Sequence, residues 1–454
     1  MNPRSIVKKI VPKSLFVKIE PYGHLVEAMA ENVLFGFPTH GLKVIGVTGT
    51  AGKTTTCTLI AHMLRENGYK VAMMTTVAMD YGDGKGLQPN STRMTSVGSL
   101  KLLKAAKRMK AAGVEWLVLE TTSHALAQHR VWSVPYSIVA YTNLSHDNVD
   151  YHGTFERYRE AKLMLFKQCD RNKKGLRTGV VNADDENGQY FSSAITKSIN
   201  YGIKNGDLQA KDVSLTPSGS SFKAKLLDTE YNINCNLPGE FNVYNTLCAI
   251  GVTKVAGLSK EQIENSIASL KSVEGRMNTI EEGQKFGVIV DYACTPDAFE
   301  KVFAAIKPAV QGRIITMFGS AGRRDELKRP IQGEIAGKNS DIIILTEEDD
   351  RDQDGLKILD DIANGAEKAG KVKEKDMLFI HDREEAVKKA IELARPGDMV
   401  LLLGKGEEKQ IITNKPDYKP TPGHIYNEST DTIRRPYNDS DVARAALKSR
   451  FPSK

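Results

Sequence analysis

The sequence predicts an α/β protein with two large domains, and three features of the chain lead to this prediction. An apolar, strand-like run at 44–47 enters a glycine-rich turn and is followed by a helical pattern from Thr54. Strand-like and helix-like patterns then alternate, as in the βα units that surround a parallel sheet. A second alternation begins near Gly275, after a polar, strand-rich stretch and a helical stretch. We therefore expect a central domain with a parallel sheet and a C-terminal Rossmann-like α/β domain.

The glycine-rich turn has the layout of a phosphate-binding loop. Gly49 and Gly52 allow backbone N–H groups to converge on an anion at the positive end of the following helix. Lys53 can then reach the outer phosphates of ATP or GTP, and a hydroxyl of Thr54 or Thr55 can bind the accompanying Mg²⁺. Valine replaces the first glycine of the general motif G-x-x-x-x-G-K-[ST], so only its second half is matched. The Gly-Lys-Thr-Thr ending favours a P-loop domain over a purely structural turn.

Composition and charge fit a soluble enzyme of small anionic molecules at least as well as a nucleic-acid binder. The chain has 454 residues, of which 40% are hydrophobic, so it can bury large cores. Its 63 basic and 56 acidic residues are mixed along the chain and give a net charge of +7, without the aromatic-studded basic tract typical of RNA binding. The five cysteines form no C-x-x-C pair, so we expect neither a zinc site nor a disulfide framework. Without a membrane-length apolar stretch or a signal-peptide pattern, the expected location is the cytoplasm.

Residues 1–36 form a short, basic and amphipathic N-terminal segment. Lysines are threaded among its apolar residues in MNPRSIVKKIVPKSLFVKIEPYGHLVEAM. Two interpretations stay open: a helix packed on the first domain, or a segment that lies on an anionic membrane or binds a protein partner. The predicted organisation is this segment at 1–36, a central ATP-binding domain at 37–274 and a C-terminal domain at 275–454.

Two further segments place polar side chains after apolar strands. Glu120 ends the strand in LVLETTSHALAQHR, where a carboxylate beside a phosphate loop is well placed to hold Mg²⁺. In TNLSHDNVDYHGTFERYREAKLMLF, a cluster of histidine, aspartate and asparagine residues precedes a helix that carries Lys162. Each feature alone is compatible with a solvated surface, so their combination decides the interpretation.

In combination these segments resemble the Mur ligase family, and most closely the branch that adds the third residue of the peptide. Eight matching segments occur in family order from about residue 41 to 413: GVTGTAGKTTT, ETTSHALAQHR, TNLSHDNVDYHGTFERYREAKLMLF, LPGEFNVYNTLCAI, GRMNTIEEGQKFGVIVDYACTPDAFEKV, GSAGRRDELKRP, TEEDDRDQD and GKGEEKQ. The resemblance implies an ATP-dependent amide ligase of peptidoglycan precursor synthesis. A carboxylate of a UDP-MurNAc-dipeptide-like acceptor would take the γ-phosphoryl group of ATP, and a diamino acid, diaminopimelate or lysine, would attack the acyl phosphate. This chemistry needs charge neutralisation and alignment of three reactants more than a protein nucleophile.

The resemblance also implies roles for single residues, with ATP and Mg²⁺ as cofactors and no nucleic acid as partner. The catalytic group would be Lys53, Glu120 and Lys162, the last as a carbamylated lysine whose acquired carboxylate helps to bind a second Mg²⁺. The implied ATP-binding residues are Gly49, Thr50, Gly52, Lys53, Thr54, Thr55, Asn242, Asn245 and Arg276. The implied metal-binding residues are Thr54, Glu120, Asn148 and Lys162. The implied acceptor-binding residues are Thr95, Thr122, Ser123, Gln128 and Arg130, and the implied amino-acid-binding residues are Arg324, Asp349, Arg351, Gly404 and Glu408.

One departure from the family pattern bears on the amino acid. The family motif for diaminopimelate reads Asp-Asn-Pro-Arg, and its first three positions are here Glu348, Asp349 and Asp350. The fourth, Arg351, favours diaminopimelate because a guanidinium can grip its distal carboxylate, which lysine lacks. The added carboxylates instead favour a purely cationic side chain, so both amino acids stay open.

Other departures keep two alternatives open. Asn148 stands where the family has a magnesium-ligating histidine, and Cys294 replaces another histidine. About forty residues precede the loop, where members of this branch carry a UDP-binding domain of roughly a hundred residues. These departures favour, as one alternative, a catalytically impaired ATP-binding partner protein. The other is a ligase of the folylpolyglutamate or cyanophycin synthetase type, against which SHALAQHR argues. Retention of Lys53, Glu120 and Lys162 together favours the active ligase.

Overall fold

The computed structural model describes residues 13–90, 96–145, 149–216, 219–273, 275–415, 418 and 426–451. The chain forms two compact units. The first comprises residues up to 214 with 220–235 and 241–270, and the second comprises 215–219, 236–240 and 271 onward. Each unit is an α/β structure on its own main sheet, which confirms the predicted fold class. No helix in these described ranges has the length and apolar character that a membrane span requires.

The first unit alternates helices and strands along most of its length. Its helices are α1 (Lys13–Phe35), α2 (Lys53–Glu66), α3 (Ser99–Ala111), α4 (Ser123–Ala127), α5 (Val149–His152), α6 (Phe155–Arg171), α7 (Gly188–Ser192), α8 (Glu240–Ala256) and α9 (Lys260–Ser269). Its strands are β1 (Lys43–Thr48), β2 (Val71–Met74), β3 (Ala78–Asp80), β4 (Gln88–Pro89), β5 (Trp116–Glu120), β6 (Tyr136–Tyr141), β7 (Thr178–Asn182), β8 (Lys197–Gly202), β9 (Leu208–Thr216), β10 (Gly219–Leu226) and β11 (Thr229–Cys235).

These strands form one sheet, in the order β11-β10-β9-β8-β7-β6-β1-β5-β2-β3-β4. The central strands, from β2 to β9 in this order, pair in parallel, whereas β10–β11 and β2–β3–β4 pair antiparallel at the two edges. β5, β6 and β7 are buried throughout, as expected for parallel strands covered on both faces. By contrast, β10 and β11 alternate buried and exposed residues, so one face of this edge meets solvent.

The arrangement of β1 fixes where a ligand can bind. β1 lies between β5 and β6, and the chain order runs away from it in opposite directions along the sheet. Open α/β sheets bind ligands at such a switch point, outside the carboxyl ends of the strands. The turns that follow β1, β5 and β6 therefore meet at one edge of the sheet.

The second unit is a smaller α/β layer structure with a separate hairpin. Its helices are α10 (Pro296–Ile306), α11 (Lys328–Asn339), α12 (Gly355–Lys368), α13 (Arg383–Leu393), α14 (Glu428–Asp431) and α15 (Asp439–Arg450), with a 3-10 turn at Lys307–Ala309. Its strands are β12 (Asn278–Thr279), β13 (Gly287–Asp291), β14 (Ile314–Phe318), β15 (Ile342–Leu345), β16 (Met377–Phe379), β17 (Met399–Leu403), β18 (Gln410–Asn414) and β19 (Thr432–Pro436). The main sheet has the order β12-β13-β17-β14-β15-β16, parallel except for β12, and β18 and β19 form an antiparallel pair. The apolar strands pack with α13 and α15 in one core.

Candidate active site

The turn between β1 and α2 is built on glycines that admit no side chain. α2 begins directly after Gly52, whose φ of 81° is left-handed. A Cβ on Gly52 would overlap the Asn245 amide, and a Cβ on Gly49 would overlap the Thr142 hydroxyl. The first N–H groups of α2 have no acceptor within the helix, so this end of the helix favours an anion. The turn therefore fits the predicted phosphate-binding loop.

Three predicted residues meet beside this loop. Thr54 Oγ1 donates to Glu120 Oε2 at 2.9 Å, and Lys53 Nζ lies 4.0 Å from Glu120 Oε1. The same carboxylate accepts from the backbone N–H of Thr76 at 2.9 Å and from the Thr76 hydroxyl at 3.0 Å. Glu120 is only 2% exposed, so its charge is buried among donors. Mg²⁺ prefers oxygen ligands such as hydroxyls and carboxylates. The Thr54 hydroxyl and the Glu120 carboxylate therefore fit the predicted Mg²⁺ ion.

Two lysines donate to backbone carbonyls of the loop. Lys53 Nζ donates to Thr50 O at 2.8 Å, and Lys162 Nζ, from α6, donates to Gly49 O at 2.7 Å. Lys162 is buried, and its ammonium lies 4.6 Å from the centroid of the Tyr158 ring. The Tyr158 hydroxyl lies 3.1 Å from Thr50 Oγ1. The structure thus brings Lys162 to the loop, more than a hundred residues away in sequence.

The two predicted asparagines of α8 lie beside the start of α2. Asn245 Nδ2 donates to Asn242 Oδ1 at 2.9 Å, and Thr56 Oγ1 donates to Asn245 Oδ1 at 3.4 Å. Both asparagines are buried. Arg276, the other residue predicted near the nucleotide, belongs to the second unit, where its guanidinium lies 5.2 Å from the Tyr292 ring centroid.

The predicted acceptor-binding residues lie around the short helix α4. The Thr122 hydroxyl caps this helix by accepting from the N–H of Ala125 at 3.2 Å. Ser123 Oγ lies 3.0 Å from His152 Nε2. Arg130 donates to Gln128 Oε1. Thr95 and Asn148, predicted for the acceptor and the metal, lie outside the described residues.

Sequence reasoning missed Ser96 in this region. Its hydroxyl donates to the carbonyl of Glu120 at 3.0 Å and accepts from the N–H of Thr122 at 3.0 Å, while its own carbonyl accepts from Arg130 at 3.0 Å. Ser96 therefore links the carboxylate strand to the acceptor segment. No local motif marks such a residue, because its three partners come together only in the folded sheet.

Four of the five residues predicted to bind the amino acid lie near one another in the second unit. Asp349 Oδ1 accepts from Lys405 Nζ at 2.9 Å, and Lys405 also contacts the Glu408 carboxylate. The Arg351 guanidinium donates to Gly322 O and to Glu428 Oε2, the latter at 3.3 Å. Gly404 has a φ of 106°, and a Cβ added to it would lie only 3.0 Å from Glu348 Oε2, so its backbone packs against that carboxylate. Arg324, the fifth, is exposed on the turn after β14.

Glu348 is the least satisfied charge of this cluster. Its Oε2 atom accepts no hydrogen bond from any described residue, although the carboxylate is buried. Burial raises the pKa of Glu348 above its ordinary value, and the cations Lys328 and Lys405 oppose that shift. A buried oxygen without a donor is costly unless a ligand supplies one. The residue is therefore suited to receive a cationic group.

A buried ion pair supports this cluster from behind. The Arg383 guanidinium donates to both carboxylate oxygens of Asp439 at 2.9 Å. It also donates to the carbonyl of Glu347 at 3.0 Å and to that of Leu403 at 2.8 Å. These carbonyls precede Glu348 and Gly404, so Arg383 ties together the ends of β15 and β17. Sequence reasoning missed this pair because its members are 56 residues apart.

One group of potential metal ligands in this unit is already paired. Glu347, Asp350 and His381 have ligand atoms within 4.8 Å of one another. His381 Nε2 lies 2.7 Å from Asp350 Oδ2, and Glu347 Oε1 accepts from the N–H of Arg383 at 3.2 Å and from Arg435. Because an arginine occupies Glu347, we interpret this group as an ion-pair cluster.

Comparison with known families matches most of the chain. Residues 47–253 match the Mur ligase middle domain, and residues 275–406 match the Mur ligase, glutamate ligase domain. The UDP-N-acetylmuramyl-tripeptide synthetase of Borreliella afzelii is 37% identical over 88% of this chain and 79% of its own length. The UDP-N-acetylmuramoyl-L-alanyl-D-glutamate–2,6-diaminopimelate ligase of Geobacillus thermodenitrificans is 36% identical over 96% of this chain and 84% of its own length.

Solved structures give the same relation. A UDP-N-acetylmuramoyl-L-alanyl-D-glutamate–2,6-diaminopimelate ligase structure has a TM-score of 0.60 and 30% identity, covering 91% of this chain and 79% of its own. The folylpolyglutamate synthase of Mycobacterium tuberculosis has a TM-score of 0.66 and covers 95% of this chain and 96% of its own. At 13% identity, this second match reports a shared fold alone.

Proposed function

The chain belongs to the Mur ligase family, as its ordered motifs predict, and we propose that it is an ATP-dependent ligase of peptidoglycan precursor synthesis. It would add a diamino acid, diaminopimelate or lysine, to a UDP-MurNAc-dipeptide-like acceptor through an acyl phosphate. The names of the relatives support this reaction. The observation that carries the proposal is the meeting of Lys53, Thr54, Glu120 and Lys162 at the loop between β1 and α2.

The residues of the loop would act on the phosphates and the ion. Lys53 would exchange its hydrogen bond to Thr50 O for the outer phosphate oxygens of ATP. Thr54 and Glu120 would hold Mg²⁺, together with Asn148 and a carbamylated Lys162. The bound ion would supply charge neutralisation on the transferred phosphoryl group.

Further residues would hold the rest of the ATP molecule and the acceptor. Gly49, Thr50, Gly52 and Thr55 would line the phosphates, and Asn242 and Asn245 would lie near the base, with Arg276 from the second unit. The acceptor would contact Thr95, Thr122, Ser123, Gln128 and Arg130. Hydrogen bonds hold Thr122 and Arg130 in place through Ser96, so this segment needs little reorganisation.

The second unit would supply the amine, held by Arg324, Asp349, Arg351, Gly404 and Glu408. Arg351 is already bonded to Glu428 and lies 3.8 Å from Asp349 Oδ2, so its charge is partly neutralised. Glu348, by contrast, presents an oxygen without a described donor. The distal carboxylate of diaminopimelate would need an arginine that is free to pair with it, and Arg351 is already paired with two carboxylates. The side chain of lysine ends in an ammonium group alone. These contacts therefore support lysine over diaminopimelate as the substrate.

The test is phosphate release from ATP and Mg²⁺ with UDP-N-acetylmuramoyl-L-alanyl-D-glutamate as acceptor and lysine or diaminopimelate in parallel. We expect release that requires acceptor and amine, a product heavier by one residue, and faster turnover with lysine. Lys53→Met should lower kcat/KM by at least ~100-fold, because the transferred phosphoryl group loses the ammonium group that would stabilise its negative charge. Lys211→Met, an exposed lysine of β9, is the matched control and should be silent. Binding of ATP without release for either amine would refute the assignment and favour a nucleotide-binding partner protein.

We propose in addition that residues 1–36 bind a partner, either a membrane or a protein. The exposed apolar side chains of α1 support this proposal.

A further inference from the structure

We propose that α1 and α3 together form a surface that docks on an anionic membrane. This inference rests on the partner proposed for residues 1–36 and commits it to one class, a lipid surface. It does not depend on the ligase reaction. We call this surface, formed by the exposed faces of α1 and α3, the docking face.

The apolar part of the docking face is one side of α1. Val26, Met29, Val33 and Leu34 are between 44% and 80% exposed, and their spacing places them on one side of the helix. Ala28, on the other side, is 2% exposed. The described part of α1 therefore packs with one face on the first unit and presents apolar side chains outward, whereas an ordinary surface helix presents a polar face to solvent.

Aromatic rings continue this surface beyond the end of α1. Phe37 stacks on His40 with a centroid distance of 5.1 Å and lies 6.4 Å from Trp132. Phe37 and Trp132 are half-buried, and His40 is exposed. Trp132 combines a large apolar ring with an N–H group, and tryptophan favours the boundary between lipid and water.

The basic part of the docking face is α3, which packs against α1. α3 has five basic residues and no acidic residue in SLKLLKAAKRMKA. Lys104, Lys107 and Lys110 are exposed and recur every three residues. Lys107 Nζ lies 4.6 Å from the Phe35 ring centroid, and Lys110 Nζ donates to His40 O at 3.4 Å. Lys107 and Lys110 therefore lie beside the C-terminal end of α1 and the segment that carries Phe37 and His40.

Charge decides between a membrane and a second copy of this chain. Residues 23–35 of α1 carry two acidic side chains, against five basic ones on α3. Residues 1–22 add five more basic residues and one acidic residue. Two copies meeting through this face would bring their basic rows together, whereas anionic headgroups attract each lysine. Apolar contact and charge thus favour the same occupant, an anionic lipid surface.

The experiment is flotation of the full chain with vesicles of phosphatidylcholine alone or mixed with phosphatidylglycerol. We expect binding only to the mixed vesicles, weakened by salt because the attraction is screened. The variants V33Q/L34Q and K104E/K107E should each lower the fraction bound by about tenfold or more. Leu227→Gln, which changes a side chain on the β10–β11 turn as exposed as Leu34, and Lys211→Glu are the matched controls and should float like the unmodified chain.

Three outcomes would overturn the proposal. The unmodified chain could fail to float, the control variants could lose binding equally, or sedimentation could show a dimer that V33Q/L34Q dissociates. All substituted side chains are exposed, so thermal unfolding should confirm that each variant is folded. Phosphate release with the soluble acceptor should be unchanged in these variants, which separates failure of the docking proposal from failure of the ligase proposal.

Discussion

The two candidate sites differ in how their buried charges are paired. Around the loop of the first unit, Glu120 accepts from Thr54 and Thr76, and both lysines donate to loop carbonyls. In the second unit, Glu348 leaves one buried oxygen without any described donor. The first site is thus organised by the protein's own hydrogen bonds, whereas we propose that a cationic ligand completes the second. Preorganised donors suit phosphoryl transfer, and a buried carboxylate oxygen without a described donor suits selection of a cationic substrate.

Gly52→Ala is expected to have the largest effect, because the first site depends on close backbone packing. The new Cβ would overlap the Asn245 amide at a φ of 81°. We expect a loss of about 2–3 kcal/mol in unfolding free energy and at least ~tenfold weaker ATP binding. Urea unfolding and calorimetric titration with ATP measure the two effects.

Gly68→Ala is the matched control for this prediction. Gly68 has nearly the same φ, 84°, but no atom within 4 Å of its added Cβ. It should cost about 1–2 kcal/mol through backbone strain alone and leave ATP binding unchanged. Equal effects of the two substitutions would show that packing against Asn245 does not organise the loop.

Glu348→Gln should have an intermediate effect of opposite sign on stability and activity. The amide keeps the shape of the side chain but removes a buried charge, so we expect stabilisation by about 1 kcal/mol at neutral pH. The KM for lysine should rise about tenfold or more, since a charged hydrogen bond to the amine is lost. Glu367→Gln, on the exposed face of α12, should change neither quantity. An unchanged KM with Glu348→Gln would remove Glu348 from the amine site.

The pH dependence of the stability of Glu348→Gln tests whether the pKa of Glu348 is raised. Because the pKa of Glu348 is raised in the folded chain, the folded state keeps a proton that the unfolded state has already released. Between the ordinary and the raised pKa, the unfolding free energy contributed by this group falls as pH rises. The stability gained by Glu348→Gln should therefore grow from pH 4 to neutral pH, and a constant difference would contradict the raised pKa.

Much of the fold follows from local pattern. The apolar segments FGVIVDYA, RIITMFGSAG, DIIILTEED and DMVLLLGKGEE become β13, β14, β15 and β17, because buried parallel strands are continuous apolar runs. The pair β18–β19 was not predicted. Its two strands are separated by residues 415–431, which include α14, so no hairpin turn marks the pair.

The two candidate sites were also predictable to different degrees, because only one of them is marked by a local sequence motif. Lys53 and Thr54 belong to a local sequence motif, Gly-Lys-Thr-Thr, which predicts a phosphate-binding loop without knowledge of its tertiary contacts. The sequence marked Glu348 only as a departure from the family motif. Its surroundings, which include Gly404 and the ends of β15 and β17 that Arg383 joins, come together only in the folded chain. Local motifs therefore predict the proposed nucleotide site, while the proposed amine site depends on contacts that only the tertiary structure provides.

His381→Gln should have the smallest effect on the free energy of unfolding. It tests whether the ion pair between His381 and Asp350 stabilises the second unit when His381 is protonated. The hydrogen bond to Asp350 raises the pKa of His381, against the effect of burial. A raised histidine pKa stabilises the fold fully below the ordinary value of about 6.5 and loses that contribution as pH rises through the folded pKa. Because the side chain is 42% exposed, screening limits the effect to about 0.5 kcal/mol. The thermal midpoint of His381→Gln should lie below that of the unmodified chain at pH 6 and meet it at pH 9. A difference that persists at pH 9 would mean that His381 contributes by packing, and that the charges of the amine site are held without it.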